Sequence, residues 1–186
     1  MRFPLIHLAI IGSFAIAGLV GTTVAASATD ASQPTTQRFR MQDDCDPRTF
    51  NAVLGAGACV GDGGTTFEEL FEQLAERRQA GAWSLSPNRV TVEAGTGLRA
   101  FNDGGETHSF TRVRRFGPGC VPEINQALGF RAGVFARECA TPAWLHTLRG
   151  PGTAIRVRGL RAGTHRFACL IHPWMRTTVQ VQAAGD

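Results

Sequence analysis

Beyond Trp83 the chain alternates between apolar and polar positions. Leu85, Val90 and Val92 mark the pattern in "WSLSPNRVTVEAG", Leu98 and Ala100 carry it through "LRAFN", and His108 and Phe110 share one face of "HSFTRV". Toward the C-terminus "TAIRVRGL", "GTHRFACL" and "RTTVQVQA" repeat it, separated by turn signals such as "RAG" and "HPWM". Many short strands at this spacing predict an antiparallel sandwich or barrel. A Gly- and Pro-bearing connection over 116–151 interrupts them, with a short helix predicted near Glu123 to Leu128.

Upstream the period is different. Phe67, Leu70, Phe71 and Leu74 recur at helical spacing behind a Thr66/Glu69 capping-box pattern, which predicts a helix from Thr66 that stops near Gly81. Its single apolar stripe is expected to pack against the segment downstream of it. "CDPRTFNAVLGAGACVGDGG" reads as irregular, and "TDASQPTTQRFRMQDD" as a polar, turn-rich linker. At the start, Arg2 precedes the apolar run "FPLIHLAIIGSFAIAGLV" and the small residues of "TTVAASA". This is the pattern of a secretory signal cleaved near Ala26 or Ala28; the alternative is an uncleaved anchor, since the run nearly reaches bilayer length. The expected organisation is a signal over 1–28, a linker and stapled helical extension over 29–82, and an all-β domain over 83–186, in a periplasmic or secreted protein.

Export changes how the cysteines are read. Oxidising compartments favour disulfides, and five cysteines leave one over. Local pairing of Cys45 with Cys59 and Cys120 with Cys139 is the simplest of the three connectivities that four cysteines permit, and it leaves Cys169 unpaired. The net charge of +4 comes from arginine alone, because the chain has no lysine. The arginines are scattered, and the one basic clump, "RVRR" at Arg112 to Arg115, is short. Nucleic acid is therefore not expected as a partner; a mildly basic surface suits an acidic protein partner or an anionic membrane face, and coding bias alone would also produce it.

The unpaired Cys169 stands in "FACLIHPWM" with His172 and Met175. Thiolate, imidazole and thioether form the ligand set of a soft transition-metal site, whereas the plain reading is a strand end with coincidental neighbours. A fourth ligand must come from elsewhere. His7 lies in the signal; His165 alternates with Phe167 and Cys169 as an inward or edge strand position; His146 reads as a loop surface residue. His108 opens a strand that can end beside the Cys169 loop, and is the best candidate. Two imidazoles, one thiolate and a weak thioether describe a mononuclear blue-copper centre with Met175 axial. No His-x-His pair, Gly-x-Ser-x-Gly elbow or His-Glu-x-x-His helix is present, and the ligand loop holds one cysteine, so multicopper, dinuclear and hydrolytic chemistry are not expected.

The Cys-x-x-His-x-x-Met spacing, with Pro173 directly after the histidine, resembles the plastocyanin and amicyanin group of cupredoxins, and "AFNDGGETHSF" is similar to the segment that supplies their first histidine. The resemblance covers 83–183. It implies a cupredoxin-like Greek-key β-sandwich of about eight strands, one type 1 copper ion held by His108, Cys169, His172 and Met175, and one-electron carriage between transient redox partners by a monomer with no reaction of its own. A second reading is a copper protein for storage or delivery, and a third is a domain that kept the fold and lost the metal. Ser109 stands where those families commonly have Asn, the His108 to Cys169 connection is longer, and the stapled helix is an addition. Ser109 is a candidate to hydrogen-bond toward the Cys169 loop, or is a plain strand residue; Pro173 and Trp174 are expected to stiffen that loop and surround His172 with an apolar rim suited to brief docking.

Overall fold

The computed structural model describes residues 35–183; the expected signal lies outside them. Among the described residues ten strands form two four-stranded sheets and a two-stranded piece. In the first sheet the order is β2 (Ser84–Ser86), β1 (Thr36–Gln42), β4 (Gly97–Asn102) and β8 (Ala154–Val157). In the second it is β3 (Arg89–Glu93), β10 (Arg176–Gln182), β9 (Gly163–Ala168) and β6 (Thr111–Val113). The short β5 (His108–Ser109) pairs with β7 (Leu148–Arg149).

Alternation decides which side chains meet between the sheets. Phe39 and Met41 of β1, Leu98 and Ala100 of β4, Phe167 of β9, and Val179 and Val181 of β10 all belong to one buried cluster, while the intervening Arg38, Arg40 and Gln180 face solvent. Phe110 bridges the layers: its ring stacks on Phe167 with centroids 4.5 Å apart and lies 5.4 Å from that of Phe39 on the other side. Each such ring contributes about 1.5–3 kcal/mol by leaving water, and Phe110→Ala would cost about 3–5 kcal/mol through the cavity it leaves.

Two features of the sheets depart from the expectations. The sandwich is not wholly antiparallel, because β1 runs parallel to β4 and β3 parallel to β10. And the segment expected to be a linker contains β1, an inner strand of the first sheet that pairs Phe39 with Ala100 and Met41 with Asn102. Its pattern, "TQRFRMQ", offers only two apolar residues, so burial is supplied by its neighbours rather than announced by its own composition.

The helical segment is equally part of the core. α1 (Pro47–Leu54) occupies the stretch expected to be irregular, started by the Asp46 carboxylate, which accepts the Arg48 and Thr49 amides, and by Pro47 in the first turn. α2 (Phe67–Arg77) carries the predicted capping box between Thr66 and Glu69 and ends at Arg78, whose φ of 60° closes it one turn before Gly81. Phe50 of α1 stacks 5.9 Å from Trp83 and meets Phe67 edge-on at 5.3 Å, so the two helices join the same cluster as the sheets. The predicted short helix is α3 (Pro122–Ala127). Disulfides link Cys45 to Cys59 and Cys120 to Cys139, and Cys169 is free and buried. Among the described residues no helix is long and apolar enough to cross a membrane.

Candidate metal centre

Strand pairing brings the site residues together. β6 pairs with β9 so that Thr111 faces Ala168, which sets Ser109 and His108, just upstream of β6, beside Cys169 and Leu170, just downstream of β9. The Ser109 amide donates to Cys169 Sγ at 3.3 Å, and Ser109 Oγ accepts the Leu170 amide at 2.7 Å. The serine therefore ties the first-histidine strand to the cysteine loop, the first of the two readings open for it, and is not a plain strand residue. The loop closes on itself through Cys169 N–H to Met175 O and Met175 N–H to His172 O, both 2.9 Å, and the His172 amide adds a second donor to Cys169 Sγ at 3.4 Å. Met175 is buried.

His108, Cys169 and His172 present their donor atoms to one point. The two Nδ1 atoms are 3.2 Å apart, and Cys169 Sγ is 4.0 Å from that of His108 and 3.9 Å from that of His172. A triangle with those sides has its centre about 2.2 Å from each corner, within the roughly 2.0–2.3 Å of transition-metal bonds to imidazole nitrogen and thiolate sulfur. The spacing is wrong for a packed hydrophobic core and right for three ligands around one ion. All three are withdrawn from solvent, at 0%, 1% and 2% exposure for His108, Cys169 and His172.

Both imidazoles are backed by a carboxylate, which sequence reading missed. Asp43, directly after β1, accepts His108 Nε2–H at 2.8 Å and also the amides of Gly105, Glu106 and Cys45 at 3.0, 3.1 and 3.3 Å. In the neutral ring that bond places the proton on Nε2 and leaves Nδ1 as the lone-pair donor. The carboxylate lies so close to the chain that a Cβ at Gly104 would sit 2.0 Å from Asp43 Oδ2, so only glycine fits there. Glu106 accepts Trp83 Nε1–H at 2.7 Å and approaches His172 Nε2 at 3.6 Å.

Charge in this pocket is set by those contacts. Burial pushes the Cys169 thiol up, but the His108 and His172 rings outweigh it and hold the sulfur well below the usual thiol range. Burial also opposes charge on His108, yet the Asp43 bond and the Cys169 sulfur raise it to about 9. Asp43, pushed up by burial and pulled down further by His108 and its amides, lies at about 2. Glu106 is raised, chiefly by burial, against the pull of His172 and Trp83.

Among the described residues the other two histidines, His165 and His146, stand apart from the cluster. His165 is buried in β9 and donates Nε2–H to the Arg161 carbonyl at 2.7 Å, and His146 is exposed on a short 3-10 turn. The apolar rim expected around His172 exists but does not lie open. Trp174 meets the imidazole edge-on at 5.4 Å and is itself fastened by Nε1–H to Ala80 O at 3.1 Å, while Trp83 covers it from 6.4 Å. The turn that follows α2, through Ala80 and Trp83, thus helps to roof the ligand. Of the missed residues, Glu106 stands two positions before His108 but backs His172, far downstream, and Asp43 is 65 residues from His108, so neither pairing had a signal in the sequence.

His108, Cys169 and His172 converge on a cupredoxin-like two-sheet sandwich, with the buried Met175 in the same loop as Cys169 and His172, and the cluster has the form of a type 1 copper site. No family model matches the chain, and no curated protein does. Among solved structures it is similar to a purple cupredoxin from Nitrosopumilus maritimus, at 14% identity and a TM-score of 0.40, over 78% of this chain and 99% of that one. It is also similar to amicyanin from Paracoccus versutus, at 21% identity and a TM-score of 0.34, over 53% of this chain and 73% of that one. A copper-containing nitrite reductase from Thermus scotoductus matches at 19% identity and a TM-score of 0.35, over 55% of this chain and 21% of its own.

Proposed function

We propose that the chain holds one copper ion through His108, Cys169, His172 and Met175 and works outside the cytoplasm as a one-electron carrier between redox proteins. The observation that carries this reading is the triangle of two Nδ1 atoms and one Sγ, sized for a single ion and buried. When bound, copper supplies a one-electron redox couple suited to a mixed thiolate and imidazole environment.

The chain's part is to keep that environment fixed. Asp43 holds His108 in one tautomer and one orientation, the two amide donors of Ser109 and His172 stabilise the thiolate charge, and the indoles of Trp83 and Trp174 keep water from His172. A site with little freedom to rearrange costs little to change charge. Two disulfides support an oxidising compartment, in keeping with the apolar N-terminal run.

The test is an absorption spectrum of the protein with Cu(II), with Cys169→Ser in parallel, followed by reduction potential and electron self-exchange. An intense visible sulfur-to-copper band absent from the variant, together with rapid exchange, is expected. A folded protein without the band rejects the copper site. The band with very slow exchange favours storage or delivery.

A further inference from the structure

The "RVRR" clump has no role in the copper site, and the fold gives it company. Along β6, Thr111 and Val113 point inward while Arg112 faces out, and Arg114 and Arg115 follow directly into solvent. The segment stapled by Cys120–Cys139 folds back so that Arg137 stands across from Arg114 and Arg115 over a groove of about 520 Å³. Val134 and Phe135, 41% and 43% exposed, line the same groove. Arg114 also borders a neighbouring depression shared with Arg112 and Arg166. Five of the nineteen arginines therefore converge on one face. Among the described residues none of the five makes an ion pair, and the one carboxylate in the groove, Glu138, accepts the Arg114 amide through Oε1 at 3.1 Å.

We propose that this groove docks an acidic segment of a partner protein, with carboxylates paired to the arginines and an apolar side chain set against Phe135. Guanidinium groups left without counter-ions attract carboxylates and favour two-pronged bonds to them. An exposed aromatic ring within a concavity admits a side chain, whereas a bilayer surface cannot enter a groove. The location connects it to the copper site. The wall residues Gly117 and Pro118 run directly into Gly119 and Cys120, and the Cys120 amide donates to the carbonyl of Leu170, the neighbour of Cys169, at 2.6 Å. Leu170 and Ala168, on either side of Cys169, form a small core with Val113, against which Phe116, Cys120 and Cys139 pack. A docked partner is thus joined to the buried thiolate by peptide and hydrogen bonds, without touching any ligand. Calling the partner a redox protein rests on the carrier reading; the charge and shape of the groove do not.

The experiment is calorimetric titration of the copper-loaded protein with a short peptide of Asp and Glu around a central Phe, at low and at physiological ionic strength. Binding is expected to weaken as salt rises, and to fall roughly tenfold or more in Arg114→Glu/Arg115→Glu and in Arg137→Glu on the opposite wall, with Arg38→Glu on the other sheet as an unaffected control. Replacing the peptide's Phe by Ala is expected to weaken binding to wild type and to have little effect on a Phe135→Ser variant. The visible copper band of each variant reports that it is folded. Equal affinity in wild type and both groove variants, no binding at low ionic strength, or preference for anionic phospholipid vesicles or free phosphate over the peptide overturns the proposal. Self-exchange is measured separately, so slow exchange with intact peptide binding counts against the carrier reading alone.

Discussion

The Asp43 carboxylate accepts a hydrogen bond from His108 Nε2 at 2.8 Å, and both side chains are almost wholly buried, at 1% and 0% exposure. One residue from the N-terminal strand thereby orients a ligand on the far side of the sequence. Replacing Asp43 by Asn removes a buried negative charge while preserving shape. The visible band is expected to persist, copper affinity to fall about 10–100-fold, and the reduction potential to rise, because Cu(II) loses more stabilisation than Cu(I). Chelator competition and voltammetry check this; an unchanged potential would remove Asp43 from the electrostatics of the site.

The Cys45–Cys59 link holds that same carboxylate in place, two residues away. The closed loop, with a sequence separation of 14, implies that Cys45→Ala/Cys59→Ala costs about 3 kcal/mol on chain-entropy grounds. Denaturant unfolding of the metal-free protein should show that loss, and copper affinity should weaken with it. Stability falling with no change in affinity would separate the staple from the site.

Trp83 joins the roof to the site through its indole N–H on Glu106. Trp83→Phe keeps a ring in the core but leaves a buried carboxylate oxygen short of a donor, at about 1–3 kcal/mol. The change is read as a lower denaturant midpoint, with greater solvent access to His172 seen by exchange-sensitive resonance methods.

Ser109→Ala deletes the acceptor for the Leu170 amide while leaving the Ser109 backbone donor on Cys169 Sγ. The orphaned amide costs about 1–3 kcal/mol of stability. The visible band should survive, since the sulfur keeps both its donors; its disappearance would show that the hydroxyl shapes the ligand loop itself.

The metal-free protein should have a defined pH window. Asp43 drops from 3.8 to about 2 on folding, so its contribution is complete above pH 3.8 and is lost as pH falls through 2. His108 rises from 6.5 to about 9, so its contribution is complete below pH 6.5 and is lost as pH climbs through 9. Both shifts include the bond between Asp43 and His108, with the Cys169 sulfur adding to the histidine's, and the two contributions are complete together between about pH 4 and 6.5. Unfolding midpoints should fall on the acid side, while on the alkaline side the loss at His108 is opposed by Cys169, whose lowered thiol favours folding as pH rises toward its ordinary range. Copper loading should weaken the His108 part of this response, because the ion takes the Nδ1 position that the proton held.

Much of this was already present in the order of residues. Period-two alternation from Leu85 to Val181 dictated strands whose apolar faces had to meet, Thr66 and Glu69 dictated where α2 begins, and the spacing of Cys169, His172 and Met175 dictated a ligand loop, because all of these are interactions between near neighbours in the chain. Tertiary structure decided the rest. β1, with two apolar residues, is an inner strand only because β2 and β4 flank it; Asp43 and Glu106 sit behind the ligands only because strands distant in sequence end at the same edge; and five arginines form one face only because the Cys120–Cys139 segment folds back onto β6. A solitary charge or a two-residue pattern carries no signal by itself, and its meaning depends on what the fold places within a few ångströms of it.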